Sequence, residues 1–174
     1  MMSKQLELIF KRRSIRKYTG EKVSAEMVEN LLKAAMAAPS ACAKDPFRFI
    51  VMDDPAVKAA MAELLPNGPF LKDAPLGIMV LGDLDAAYMN NESYLLQDCS
   101  AAVENILLAA EAQGLGACLL GVHPRQERIS VIREYFKLPE HILPISIIAV
   151  GYPAEQKEPR SRFNPDYVKY NTWK

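Results

Sequence analysis

Apolar residues recur along the chain at two spacings, and each spacing predicts an element. Leu6, Ile9 and Phe10 share one helical face and predict a first helix, ending near the basic run Lys11-Arg12-Arg13-Ser14-Ile15-Arg16-Lys17. Met27, Val28, Leu31, Leu32, Ala35 and Met36 form the inward face of a second helix, with Ser24 as its N-cap and Pro39 as its stop. Residues 48–52 (RFIVM) read as a strand. Asp54-Pro55 then opens a short helix to about residue 65, because proline is preorganised for the first helical position. Residues 77–81 (GIMVL) are apolar enough for a strand buried on both faces. A long helix over 93–113 carries Val103, Ile106, Leu107 and Ala110 as its buried stripe and ends at Gly114. A short strand at 117–120, a helix at 124–135 and a strong strand at 145–150, closed by Gly151, complete the pattern. Helices that precede and separate strands predict a two- or three-layer mixed α/β domain around a central sheet, its strand order unspecified.

Composition narrows the class. The 174 residues fit one domain, and a chain of that length buries roughly 70% of its unfolded surface without a metal or disulfide staple. Lys and Arg total 21 against 21 Asp and Glu, so net charge gives no footprint for nucleic acid or an anionic membrane. Cys42, Cys99 and Cys118 form no CxxC pair, which points to a reducing, cytoplasmic setting. The first ten residues lack the apolar stretch of a signal peptide, and the longest apolar run, 143–150, is too short to span a bilayer. His123 and His141 have no carboxylate at ligand spacing, so no metal site is expected. Cys99 and Cys118 lie in apolar stretches and read as buried, inert thiols. Cys42 sits in a loop beside Lys44, where a thiol is either activated or simply exposed.

Three segments carry candidate chemistry. Arg12-Arg13-Ser14-Ile15-Arg16 places guanidinium forks beside a hydroxyl, a donor set suited to a phosphate monoester. Basic residues at a helix end also complement the helix dipole, so that segment has two readings. Pro159-Arg160-Ser161-Arg162 repeats the theme near the C-terminus, either converging on the same dianion or forming a solvated tail. Residues 114–121 (GLGACLLG) contain GxG but follow a helix and precede a strand, the reverse of a Rossmann fingerprint. These glycines serve a helix cap and, at the strand end, either a close approach of backbone to something flat or a turn that needs no ligand. Tyr167, Tyr170 and Trp173 either clamp a partner subunit or cover their own core.

Together the segments resemble the nitroreductase family. Arg12–Arg16 is similar to its R-x-S-x-R opening, and residues 37–51 (AAPSACAKDPFRFIV) to its APSAxNxQPWxF segment. Residues 110–121 resemble its A-x-x-x-GLGxxxxG stretch, and 149–163 its closing GYP…K-x-P-R-x-R block, all in family order. The resemblance implies an α+β nitroreductase-like fold, a central mixed sheet flanked by helices, in an intertwined homodimer. It makes 1–174 a single FMN-binding domain with 152–174 as a C-terminal arm. Arg12, Ser14, Arg160 and Arg162 would hold the FMN phosphate, and Arg13 would follow the phosphate and ribityl chain. Arg16 would reach the flavin pyrimidine edge. Pro39, Ser40 and Ala41 would come from the partner subunit, while Leu120 and Gly121 would lie against the ring. The implied activity is ping-pong electron transfer from NAD(P)H to a small organic acceptor such as a nitroaromatic or quinone, with no catalytic side chain singled out. Ala43 and Asp45 replace the family's Asn and Gln, and Phe47 its Trp, which removes a polar contact and adds a carboxylate. That change keeps alternatives open: a flavin-binding sensor or storage protein of the same fold, or a flavin-cleaving or dehalogenating relative.

Overall fold

A computed structural model describes residues 3–173. Its elements in chain order are α1 (Lys4–Lys11), α2 (Ala25–Met36), β1 (Phe47–Met52), α3 (Pro55–Leu64), β2 (Leu76–Asp83), α4 (Glu92–Ala112), β3 (Gly116–Gly121), α5 (Gln126–Phe136) and β4 (Ile142–Gly151). The helix starts follow side-chain capping. Ser24 Oγ accepts from Met27 N, Asp54 Oδ1 from Ala56 N, and Asn91 Oδ1 from Ser93 N. At the end of α4, Gly114 adopts φ +73°, a left-handed conformation that costs glycine nothing.

The strands pair in the order β1-β2-β4-β3, antiparallel at each step. The mixed character expected of the sheet is confined to one isolated parallel bridge, Ser14 to Ala117. β2 and β4 occupy the centre, and their alternating residues feed two cores. Ile78, Val80, Ile148 and Val150 face α2 and α4, where they meet Leu31, Ala35, Val103 and Ile106. Met79, Leu81, Ile147 and Ala149 face α3 and α5, where they meet Met61, Ile129 and Ile132. The domain thus has three layers, which is why the central strands are apolar on both faces.

The structure departs from the pattern at three places. Met36, on the inward face of α2 by spacing, is 58% exposed, because α2 ends there and Met36 lines an open cleft beside Phe47, Phe49 and Val51 of β1. β4 starts three residues earlier than the pattern predicts, at Ile142, and Pro144 sits inside it. The register shifts between Val80 and Leu81, opposite Pro144, and this irregularity lets a residue without an N–H stay in the strand. α5 begins at Gln126, with Pro124 and Arg125 in the preceding turn.

Candidate functional site

The two arginine clusters are brought together by a backbone zipper. The segment after α1 runs antiparallel to the segment after β4. Arg160 N donates to Phe10 O at 3.0 Å, Ala154 N to Lys17 O at 2.8 Å, and Thr19 N to Tyr152 O at 3.0 Å. Between these, the Arg13 guanidinium bonds the Glu158 carbonyl, and Lys157 Nζ donates to Ser14 O at 2.6 Å. On its other side the same segment joins the sheet, with Ile15 N donating to Ala117 O at 3.0 Å. Gly116 makes this approach possible: a Cβ there would fall 2.6 Å from Ile15 Cγ2.

One cavity of about 860 Å³ results, lined by Arg12, Arg13, Ser14, Arg16, Lys157, Arg160, Ser161 and Arg162 with Ile9, Phe10 and Phe163. Six of these residues are cationic and none is acidic. Arg12 reaches Glu104 at 3.4 Å and Lys157 reaches Glu155 at 3.1 Å, whereas Arg160 and Arg162 have no carboxylate partner among the described residues. Such a concentration of like charge repels itself unless an anion neutralises it. The donor set fits a phosphate dianion, with guanidinium forks and a hydroxyl presented together.

A second cavity of about 270 Å³ adjoins it, and Arg16 lines both. Leu65, Gly68, Cys118, Leu119, Leu120 and Gly121 supply its apolar surface; Asn67, His123, Arg125 and Arg128 supply the polar part. A Cβ on Gly121 would meet nothing within 4 Å, so the end of β3 opens onto free space where a flat ring can approach the backbone. Arg16 is fixed at the junction. Its N–H donates to Glu155 Oε1 at 2.6 Å, and its guanidinium carbon lies 5.8 Å from the centroid of the Phe70 ring. That backbone bond, helped by Lys157, holds the Glu155 carboxyl below its usual range. Tyr18 Oη donates to Ile15 O at 2.7 Å, and burial pushes its phenol up, so it stays a donor and pins the turn.

The cysteines behave as their surroundings dictate. Burial pushes the Cys118 thiol up despite Arg16 and Ser14 beside it, and it pushes Cys99 up to about 12 with Asp98 adding to the effect. Cys42 is exposed. Among the described residues no cluster able to hold a metal ion occurs, and no helix is long and apolar enough to cross a membrane.

The structure therefore unites Arg12, Arg13, Ser14, Arg16, Arg160 and Arg162, and it places Leu120 and Gly121 in the adjoining cavity. Pro39, Ser40 and Ala41 line neither cavity. They form a loop beyond α2, held by Asp98 Oδ1 accepting from Ala41 N at 3.0 Å and by Ser40 Oγ donating to Asp45 Oδ1 at 2.5 Å. Cys42, Ala43 and Asp45 there all have positive φ, near 50°, which side chains other than Gly, Asn and Asp rarely adopt. Asp45 faces a separate apolar cleft formed by Leu32, Met36, Phe47, Phe49 and Val51. Two residues escaped the sequence reading, Lys157 and Glu155. The register that places them is visible only in the structure: with Arg160 opposite Phe10, antiparallel pairing puts 155–157 beside Ser14 and Arg16.

A three-layer α+β domain with an anion cleft beside an open strand end defines a class of protein, and comparison supplies its family. The nitroreductase family profile matches residues 9–68 and 63–152. A Methanothermobacter thermautotrophicus protein, provisionally named NADH dehydrogenase/NAD(P)H nitroreductase, is 42% identical over 97% of this chain and 87% of its own. A crystal structure of a protein with the same provisional name, from Bacteroides thetaiotaomicron, superposes with TM-score 0.93 at 38% identity, covering 99% and 100% of the two chains. A provisionally named nitroreductase from Desulfovibrio desulfuricans, solved in complex with FMN, gives TM-score 0.86 at 34% identity over the full length of both. The chain belongs to the nitroreductase family and is an oxidoreductase of that type.

Proposed function

We propose that this protein binds FMN without a covalent link and uses it to carry electrons from NAD(P)H to a small organic acceptor, such as a nitroaromatic or quinone. The observation that carries the reading is the meeting of two cavities at Arg16, one lined by six cationic residues and no acid, the other opening onto the Leu119–Gly121 end of β3. FMN has that polarity, a phosphate dianion at one end and a flat ring at the other. The relative solved in complex with FMN adds support. FMN held by Arg12, Ser14, Lys157, Arg160 and Arg162 would supply hydride acceptance from a nicotinamide and electron delivery to the acceptor.

The residues of this chain then have distinct tasks. Arg12, Ser14, Lys157, Arg160 and Arg162 bind the phosphate, and Arg13 fixes the zipper while lining the same cavity. Arg16, at the junction of the two cavities, would lie toward the ring and favour its reduced, negatively charged form. Leu120 and Gly121 present backbone to the ring, and Leu119, 43% exposed, borders it. Pro39, Ser40 and Ala41 complete the site from a second copy of the chain, so the working unit is a homodimer. Tyr167, Tyr170 and Trp173, each at least 81% exposed in one protomer, cover no core of their own, and residues 152–174 act as an arm that grips the partner.

Purification tests the reading directly. The protein should be yellow, sediment as a dimer, and bleach on addition of NADH or NADPH under anaerobic conditions. A colourless phosphate-binding protein, or a flavoprotein that no nicotinamide reduces, would refute it. A monomer holding stoichiometric FMN would remove the partner loop from the site.

A further inference from the structure

The cavity at the end of β3 contains more positive charge than a flavin ring needs. Arg125 and Arg128 line it alongside Arg16, and no carboxylate lines it. The chain as a whole balances 21 cationic against 21 acidic residues, so this clustering is not a general basicity. Arg128 is locked in place, its Nη1 donating to Gly121 O at 2.7 Å, which leaves the rest of its fork available. Arg125 is 62% exposed at the side chain, and its nearest acid, Glu127, lies 3.9 Å away, too far for a formed hydrogen bond. His123 Nε2 lies 3.0 Å from Glu92 Oε1 and is engaged there. Beside these guanidiniums lie Leu65, Leu119 and Leu120. Arg125 and Arg128 do not reach the phosphate cavity, which leaves them without a role in holding FMN's anionic end.

We propose that Arg125 and Arg128 form a specificity wall that selects an acceptor bearing a carboxylate on an apolar, aromatic body. The proposal rests on the FMN reading above and names the substrate class of that same site. A guanidinium fork matches a carboxylate in geometry and charge, while the leucines and the flavin accept the ring. Arg125 is the specificity residue, and Arg128, tied to Gly121, sets the wall's position relative to the strand end.

The test uses FMN-loaded, oxidised protein titrated by calorimetry with benzoate and with benzamide, which share a ring and differ in charge. Benzoate should bind about tenfold more tightly, the factor that one charge-assisted contact of modest strength supplies. In Arg125→Gln that preference should fall to within about twofold, with FMN absorbance unchanged, and Arg125→Lys should restore part of it. Rapid mixing separates the two half-reactions. In Arg125→Gln, reoxidation by 4-nitrobenzoate should slow more than reoxidation by nitrobenzene and more than flavin reduction by NADH or NADPH. Equal binding of benzoate and benzamide to the unmodified protein would overturn the proposal. So would an equal slowing of both half-reactions, which would assign the wall to the donor's phosphates, or loss of FMN from Arg125→Gln. A protein without reducible flavin would remove the FMN reading itself, and this proposal with it; a reducible one without charge preference removes only the proposal.

Discussion

Arg162→Ala probes the phosphate end of the site, and its effect can be sized from the structure. Arg162 lines the cationic cavity and has no carboxylate partner there, so removing it leaves no buried charge uncompensated. The change then reports contact with the ligand. A hydrogen bond to a charged group contributes about 1.5–3 kcal/mol. Arg162 is exposed, so solvent screening places it at the lower end, about 1.5 kcal/mol. That corresponds to roughly a tenfold rise in the FMN dissociation constant. Riboflavin, which has the same ring and ribityl chain without the phosphate, should lose less than about twofold. Quenching of flavin fluorescence on titration with apoprotein measures both constants. The FMN loss should also shrink at higher salt, since the contact is between exposed charges. Equal losses for FMN and riboflavin would refute the reasoning, because they would show the Arg160–Arg162 segment acting on general structure rather than on the phosphate.

Three further outcomes are expected. Arg16→Ala, with FMN still bound, should lower the flavin midpoint potential by tens of millivolts in a spectroelectrochemical titration, since about 1.4 kcal/mol of preference for the reduced ring equals about 30 mV. Glu155 is held below its usual carboxyl range chiefly by the Arg16 N–H, so the fold favours its charged form. Its stabilisation is present above the usual carboxyl range and is lost as pH falls through the lowered value; Glu155→Gln should therefore flatten the acid side of a urea-midpoint profile measured from about pH 6 downward. Asp98→Ala should lower unfolding free energy by about 1–3 kcal/mol by orphaning the Ala41 N–H, whereas Asp98→Asn, which keeps an acceptor, should cost much less in the same denaturation assay.

What the sequence revealed and what it hid follow from the range of the interactions involved. α2, α3 and α4 could be bounded within a residue or so because Ser24, Asp54-Pro55 and Gly114 act locally, on N–H groups and dihedrals a few positions away. The burial of Gly77–Leu81 on both faces was equally legible, since it needs only composition. Strand order was not, because β2 pairs with β4 across some 70 residues and no local signal encodes the partner. Pro144 concealed the start of β4, as proline weakens any strand pattern while a register shift can absorb it. Arg12–Arg16 and Arg160–Arg162 were each ambiguous alone. The zipper decides between a solvated tail and a shared cavity, and it depends on backbone pairing rather than on the arginines themselves. Lys157 and Glu155 were missed for the same reason, since a lysine and a glutamate in a polar segment carry no periodicity.

The zipper also has a temporal meaning. Arg13 and the Glu158 carbonyl are 145 positions apart, so the phosphate cavity closes nearly the longest loop the chain can form. Contacts of such separation form late, after their loop entropy is offset by the rest of the fold. During synthesis the cavity cannot exist until residues beyond 160 have left the ribosome. A ligand held there binds only a chain with both sides of the zipper in place and stabilises it by mass action, in proportion to the logarithm of its concentration over its dissociation constant. On the proposed FMN reading, a cut near either end of the zipper would open the cavity and release the flavin before it unfolded the sheet.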